Sequence, residues 1–229
     1  MLILVAAVIR KLIFLTLAVS FACGGSSANG GTAEPQIAGD PIADPSMEAL
    51  PTRESSASEK MRFAWLLTAE SFELRRPRRP PRGAAMRELE MWSEQELRAW
   101  LAQKNELVEA ARAELNEAAE ESHRQRVWAG ALVGLMYEDM ARVLLDVPVP
   151  RELETDPEIA RVYREVVVAQ ARPYLDHARR AYHACELNGR RQNRSLTQWS
   201  RFCEERNARL PVVDLDPGES RTTVEVIRE

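Results

Sequence analysis

Signatures of catalysis are missing from this chain. It holds no His-Glu-x-x-His, no paired Cys-x-x-Cys, no Gly-rich phosphate loop and no Gly-x-Ser-x-Gly turn. That removes the commonest routes to metal-assisted hydrolysis, nucleotide binding and serine acyl transfer. Histidine is scarce: His123, His177 and His183 are all there are. His177 and His183 lie too far apart to share a helix face as an i,i+4 metal pair does, and His183 and Cys185, at i,i+2, point to different sides. The expectation is therefore no catalytic residue, no metal, no cofactor and no enzyme activity. A basic excess is missing too. Lys and Arg number 31 against 35 Asp and Glu, a net charge of −4, which argues against nucleic acid as a partner. Aromatic residues are only 6% of the chain and charged residues 29%, with Ala, Glu, Arg and Leu abundant. That is the composition of helices, and it predicts an all-α fold.

What is present starts at Cys23. It follows an apolar run, Leu12 to Ala22, which Arg10 and Lys11 precede, and it leads into Gly24, Gly25, Ser26 and Ser27. A basic flank, a short apolar stretch and a small residue at the cut form an export signal. With Cys directly after the cut, the pattern resembles a bacterial lipoprotein signal, though Ser20 and Phe21 depart from its usual residues. The resemblance implies a signal peptide over 1–22, lipidation of Cys23 and, because Gly24 is not Asp, an outer-membrane anchor facing the periplasm. A cleaved secretory signal and a retained inner-membrane anchor are the alternatives. Leu2 to Ala22 approaches the length of a membrane span, but Arg10 and Lys11 sit in its middle, where charge is costly. The residues before Arg10 are unusually apolar, so translation starts at either Met1 or Val8.

Export suits the remaining cysteines. With Cys23 assigned to lipid, Cys185 and Cys203 are left as an even pair in a compartment that permits disulfides. A disulfide is the expectation, and two buried free thiols are the competing reading.

Four further regions follow the signal. Residues 23–58 are rich in Gly, Ser, Ala and Pro without apolar periodicity, and read as a disordered tether. Residues 59–82 combine a short amphipathic helix, with Met61, Phe63, Trp65, Leu66, Leu67, Phe72 and Leu74 on its apolar side, and a basic Pro-rich linker carrying Arg75, Arg76, Arg78, Arg79 and Arg82. That linker is either a docking strip for anionic lipid, cell wall or a partner, or a stiff solvated spacer. Residues 83–210 are the helical domain, and 211–229 a loose tail. Within the domain, Ser93 and Glu96 fit a capping box, and apolar residues recur from Leu97 to Ala118. A second apolar stretch covers Val127 to Leu145; no proline separates it from the first, so the two form either one long helix or two with a break near Ser122. Gly130 and Gly134 share a face and predict close helix packing. Pro148 and Pro150 end that helix. Thr155-Asp156-Pro157-Glu158 starts another, which Pro173 is expected to kink or split, and Thr197 to Arg209 forms the last. Trp92, Trp100 and Trp128 are candidate binding anchors, against the competing reading that they fill the core.

Residues 127–210 resemble part of the TPR-like periplasmic lipoproteins of gliding Gram-negative bacteria. The matching pieces are Arg126-Val-Trp128-Ala-Gly, Leu135-Met-Tyr137, Val147-Pro148-Val-Pro150-Arg-Glu-Leu153, Ala171-Arg-Pro173, Ala181-Tyr182-His-Ala-Cys185 and Trp199-Ser-Arg-Phe-Cys203. The resemblance implies an α–α superhelical array of helical hairpins, a lipid-anchored scaffold that binds other cell-envelope proteins. An array of 34-residue repeats is not visible. The alternative in a different class is a structural tether linking the outer membrane to cell wall or anionic lipid through Arg75 to Arg82.

Overall fold

The computed structural model describes residues 45–51, 57–191 and 196–211. The expected signal peptide, Cys23, most of the tether and the tail beyond Pro211 lie outside those residues.

Every regular element among the described residues is helical, as the composition predicts. Helix α1 spans Glu59–Glu73. Helix α2 (Met86–Trp92) passes through one π-helical turn, Ser93–Leu97, into α3 (Arg98–Glu121). Helix α4 spans His123–Leu145, the short α5 Arg151–Glu154, α6 Pro157–Arg191 and α7 Thr197–Arg209. Successive long helices run antiparallel. Lys60 on α1 meets Glu117 late on α3, Glu138 on α4 meets Tyr182 on α6, and Cys185 on α6 meets Cys203 on α7.

Helix α4 is the centre. It packs against α1, α3, α6 and α7, and its buried residues go all the way round, from Val127 and Trp128 to Met140 and Ala141. A helix apolar on every side is one enclosed by others. The surrounding helices each bury a single stripe. On α3 and the π-helical turn before it, the stripe is Leu97, Leu101, Lys104, Val108, Ala111, Leu115 and Ala118, alternating by four and three. On α1 it is Met61, Ala64, Thr68 and Ser71 at the same spacing. Such spacing keeps a seam facing one partner. Helix α1 thus belongs to the main core, and the packed unit takes in residues 59–82 as well as 83–210. A satellite cluster of Leu153, Tyr163 and Val167 seats the first half of α6 on α5 and the proline loop.

Local chemistry accounts for most helix ends. Ser58 caps α1 by accepting from Met61 N–H at 3.1 Å. Ser122 is extended (φ −159°, ψ 158°), breaks the chain between α3 and α4, and caps α4 through Gln125 N–H. Each such cap contributes about 1 kcal/mol. Asp156 Oδ1 accepts from Glu158 and Ile159 N–H, starting α6 at Pro157.

Two expectations need correcting. Ser93 does not cap a helix: the helix is already under way from Met86, and Ser93 Oγ donates to the Glu90 carbonyl. The start at Met86 is capped across space, by Glu152 Oε2 accepting from its N–H at 2.9 Å. Of the kink or split expected at Pro173, the split is absent: α6 runs unbroken from Pro157 to Arg191. Its ring is exposed, while Ala171, Leu175 and Ala178 on the buried stripe hold both flanks to the core.

Candidate functional site

Tyr137, Glu138 and Asp139 stand in sequence at the middle of α4, all at least nine-tenths buried. Successive helical residues turn by about 100°, so the three point at different neighbours. Tyr137 donates its hydroxyl to Glu109 Oε1 on α3 at 2.9 Å and stacks its ring on His177 of α6, centroids 4.6 Å apart. Glu138 receives Arg206 of α7 in a fork: Nε at 3.0 Å and Nη2 at 2.8 Å, one on each oxygen. Tyr182 of α6 donates to it at 2.7 Å. Asp139 takes Lys104 Nζ of α3 at 2.6 Å on one oxygen and Arg76 Nη2 at 2.5 Å on the other. Lys104 also donates to the Ser71 carbonyl and lies over the Phe72 ring, 4.6 Å from its centroid.

The electrostatics follow from burial. Desolvation lowers the Lys104 pKa from its usual value, and Asp139 opposes that shift. Burial first, then the Glu138 charge, pushes the Tyr182 phenol well up; burial and Glu109 do the same for Tyr137. Desolvation lowers His177, reinforced by Arg180 and Arg112 against Glu109 and Asp176. Both oxygens of Glu138 and of Asp139 are engaged with cations, so these groups tie helices together. A fork between buried guanidinium and carboxylate is strong and directional. Among the described residues, no group of three or more His, Cys, Asp or Glu side chains is placed to hold a metal.

The residues singled out by sequence fall in three places. Cys185 and Cys203 are bonded, Sγ–Sγ 2.04 Å, and clasp α6 to α7. Trp92, Trp100 and Trp128 are buried, at 9%, 4% and 0% exposure, so they fill the core and present no anchor to a partner. The arginines divide. Arg76 reaches Asp139 and Arg79 lies 3.8 Å from Asp146, while Arg75, Arg78 and Arg82 are exposed. Sequence reasoning did not single out Tyr137, Glu138, Asp139, Lys104 or Arg206. The four-three spacing of α3 lands on Lys104, and that of Trp199, Cys203 and Leu210 lands on Arg206. Spacing was the available signal for both.

Among the described residues no helix is long and apolar enough to cross a membrane. Comparison with protein-family models, curated proteins and solved structures finds no match to this chain.

Proposed function

We propose that this protein is a non-enzymatic helical adaptor, exported, lipid-anchored through Cys23 at the outer membrane, and binding other envelope proteins from the periplasmic side. The observation that carries the reading is the belt on Tyr137, Glu138 and Asp139. Its titratable groups are engaged with one another across four helices and the strip after α1, which suits a rigid scaffold more than a reactive site. The Cys185–Cys203 bond supports an oxidising compartment. The antiparallel hairpins α3–α4 and α6–α7 are what support a TPR-like description, while the enclosure of α4 by α1 and α7 gives the molecule a bundle-like centre. Crosslinked co-purification from native membranes tests the reading, with Cys23→Ser as the anchor control. One or two proteins recovered at near-stoichiometric yield are expected. Recovery of none overturns the adaptor.

A second reading is a tether to cell wall or anionic lipid. It is favoured by exposed Arg75, Arg78 and Arg82, and predicts that replacing them with Gln abolishes wall or lipid association.

A further inference from the structure

We infer that the outer face of α1 docks into an apolar groove of a partner protein, a groove with Lys or Arg at both ends; that a protein is bound at all rests on the adaptor reading. The apolar residues from Met61 to Leu74 divide by place. Met61 is buried, and Trp65, Leu67, Phe72 and Leu74 pack against the main core. Phe63 and Leu66 stand outside it, 50% and 66% exposed. Among the described residues the other large exposed apolar side chains, Met91, Val162 and Leu187, stand singly on α2 and α6, whereas these two lie one turn apart on one face. Single exposed apolar residues are ordinary on a surface, and a contiguous pair is less so.

Acidic residues extend the row at both ends. Glu59, Phe63, Leu66, Glu70 and Glu73 are all exposed and alternate by four and three, the spacing that keeps a row facing one neighbour. At about 100° per residue, the row lies opposite the buried Met61, Ala64, Thr68 and Ser71. Helix stability does not explain the acids at its far end. Glu70 and Glu73 sit in the last turn of α1, where the dipole disfavours negative charge, and no basic residue accompanies them there.

Charge then selects the occupant. Carboxylates at both ends of an apolar pair complement cations at both ends of an apolar groove. A second copy is opposed. Paired in parallel, each Glu meets its own counterpart; paired antiparallel about Phe63 and Leu66, Glu59 meets Glu70. A bilayer is opposed as well. A helix lying in a membrane interface flanks its apolar face with Lys and Arg. The two cations of α1, Lys60 and Arg62, are held instead by Glu117 and the Ala57 carbonyl, each at 3.0 Å. The chain's own outlying segments have the wrong sign. Residues 24–44 contain Glu34, Asp40 and Asp44 and no Lys or Arg, and residues 212–229 carry five acidic residues against two basic. What remains is a helix-in-groove contact with another protein.

The test titrates the full protein by anisotropy with a short fluorescent Leu/Lys peptide, Leu at four-three spacing. A Ser/Lys peptide of equal charge and a Leu/Glu peptide of equal apolarity are the controls. Saturable binding of the Leu/Lys peptide is expected, about ten-fold tighter than either control. F63S/L66S should bind it about ten-fold more weakly or worse, and E70Q/E73Q several-fold more weakly with a flatter salt dependence. The denaturation midpoint should hold in F63S/L66S and hold or rise in E70Q/E73Q, which separates the contact from the fold. Unchanged binding by E70Q/E73Q overturns the proposal even if F63S/L66S fails to fold. Equal binding of all three peptides overturns it too. So does phosphatidylglycerol vesicle binding or self-association in sedimentation that F63S/L66S abolishes, since the face then serves a bilayer or a second copy. The adaptor reading fails separately. Partners crosslinked in equal yield to F63S/L66S leave the adaptor standing and remove the face. No partner for the native protein removes the adaptor, while the peptide titration still reads α1.

Discussion

Glu138 ties three helices together, α4 to α6 and α7. Its carboxylate is 2% exposed and satisfies Arg206, itself 4% exposed, together with the Tyr182 hydroxyl. Glu138→Ala would strand a buried guanidinium, and the expected loss is about 3–5 kcal/mol of unfolding free energy. Urea denaturation checks it. The double variant E138L/R206M should lose much less, because it leaves no unpaired charge inside. Equal losses would mean that the charges matter less than the volume they fill. His177 gives a prediction in pH. Its native pKa lies below the ordinary 6.5, so between the two values the unfolded chain binds more protons than the native one. Stability therefore falls as pH drops through 6.5 toward the native value, and then levels. The charges facing the ring are Arg180 and Arg112, opposed by Glu109 and Asp176. His177→Gln should flatten that part of the stability–pH profile, measured by denaturation midpoints across the range. An unchanged slope would assign the acid sensitivity elsewhere.

Helix α7 depends on the covalent clasp to α6. Eighteen residues separate Cys185 from Cys203, and closing a loop of that size is worth about 3 kcal/mol in the chain-entropy model. C185S/C203S should therefore unfold at lower urea, with amide exchange speeding most over residues 197–209 and least in α4. Uniform acceleration would mean that α7 does not open as a separate unit. The glycines behind the clasp are as demanding: a Cβ at Gly134 would lie 2.4 Å from the Tyr182 ring. Sequence predicted this close packing, the start of α6 and both ends of α7, and left a break at Ser122 open beside one long helix; each depends on residues near in the chain. The start at Met86 was not readable, since its cap is Glu152, sixty-six residues away. The belt was hidden for a related reason. Lys104, Thr68 and Ser71 sit at core positions of their stripes, where polarity alone assigns them to solvent. Their burial becomes intelligible only once Asp139 and the Ala64 carbonyl, which accepts from Thr68 Oγ1 at 2.9 Å, are placed beside them.

The boundary between linker and domain has a consequence for the whole molecule. Sequence composition separates residues 59–82 from 83–210, yet α1 contributes Met61 and Ala64 to the main core, and Trp65 packs edge-on to Trp199 at 6.1 Å. The strip contributes Arg76 to Asp139. A chain trimmed to 83–211 would leave Lys104 without the Ser71 carbonyl and the Phe72 ring, Asp139 without Arg76, and one side of α4 open to water. Each buried charge that loses a partner costs several kcal/mol, and a domain's total stability is only about 5–15 kcal/mol. The trimmed chain should therefore lack a cooperative urea transition, followed by tryptophan fluorescence and far-UV circular dichroism together. A chain of residues 57–211 should keep one, with both probes coincident. If 83–211 unfolded cooperatively at a similar midpoint, α1 would be an appendage rather than part of the fold. Its contacts with α3, α4 and α7 would then serve to place the arginine strip, and the strip could be removed without loss of the scaffold.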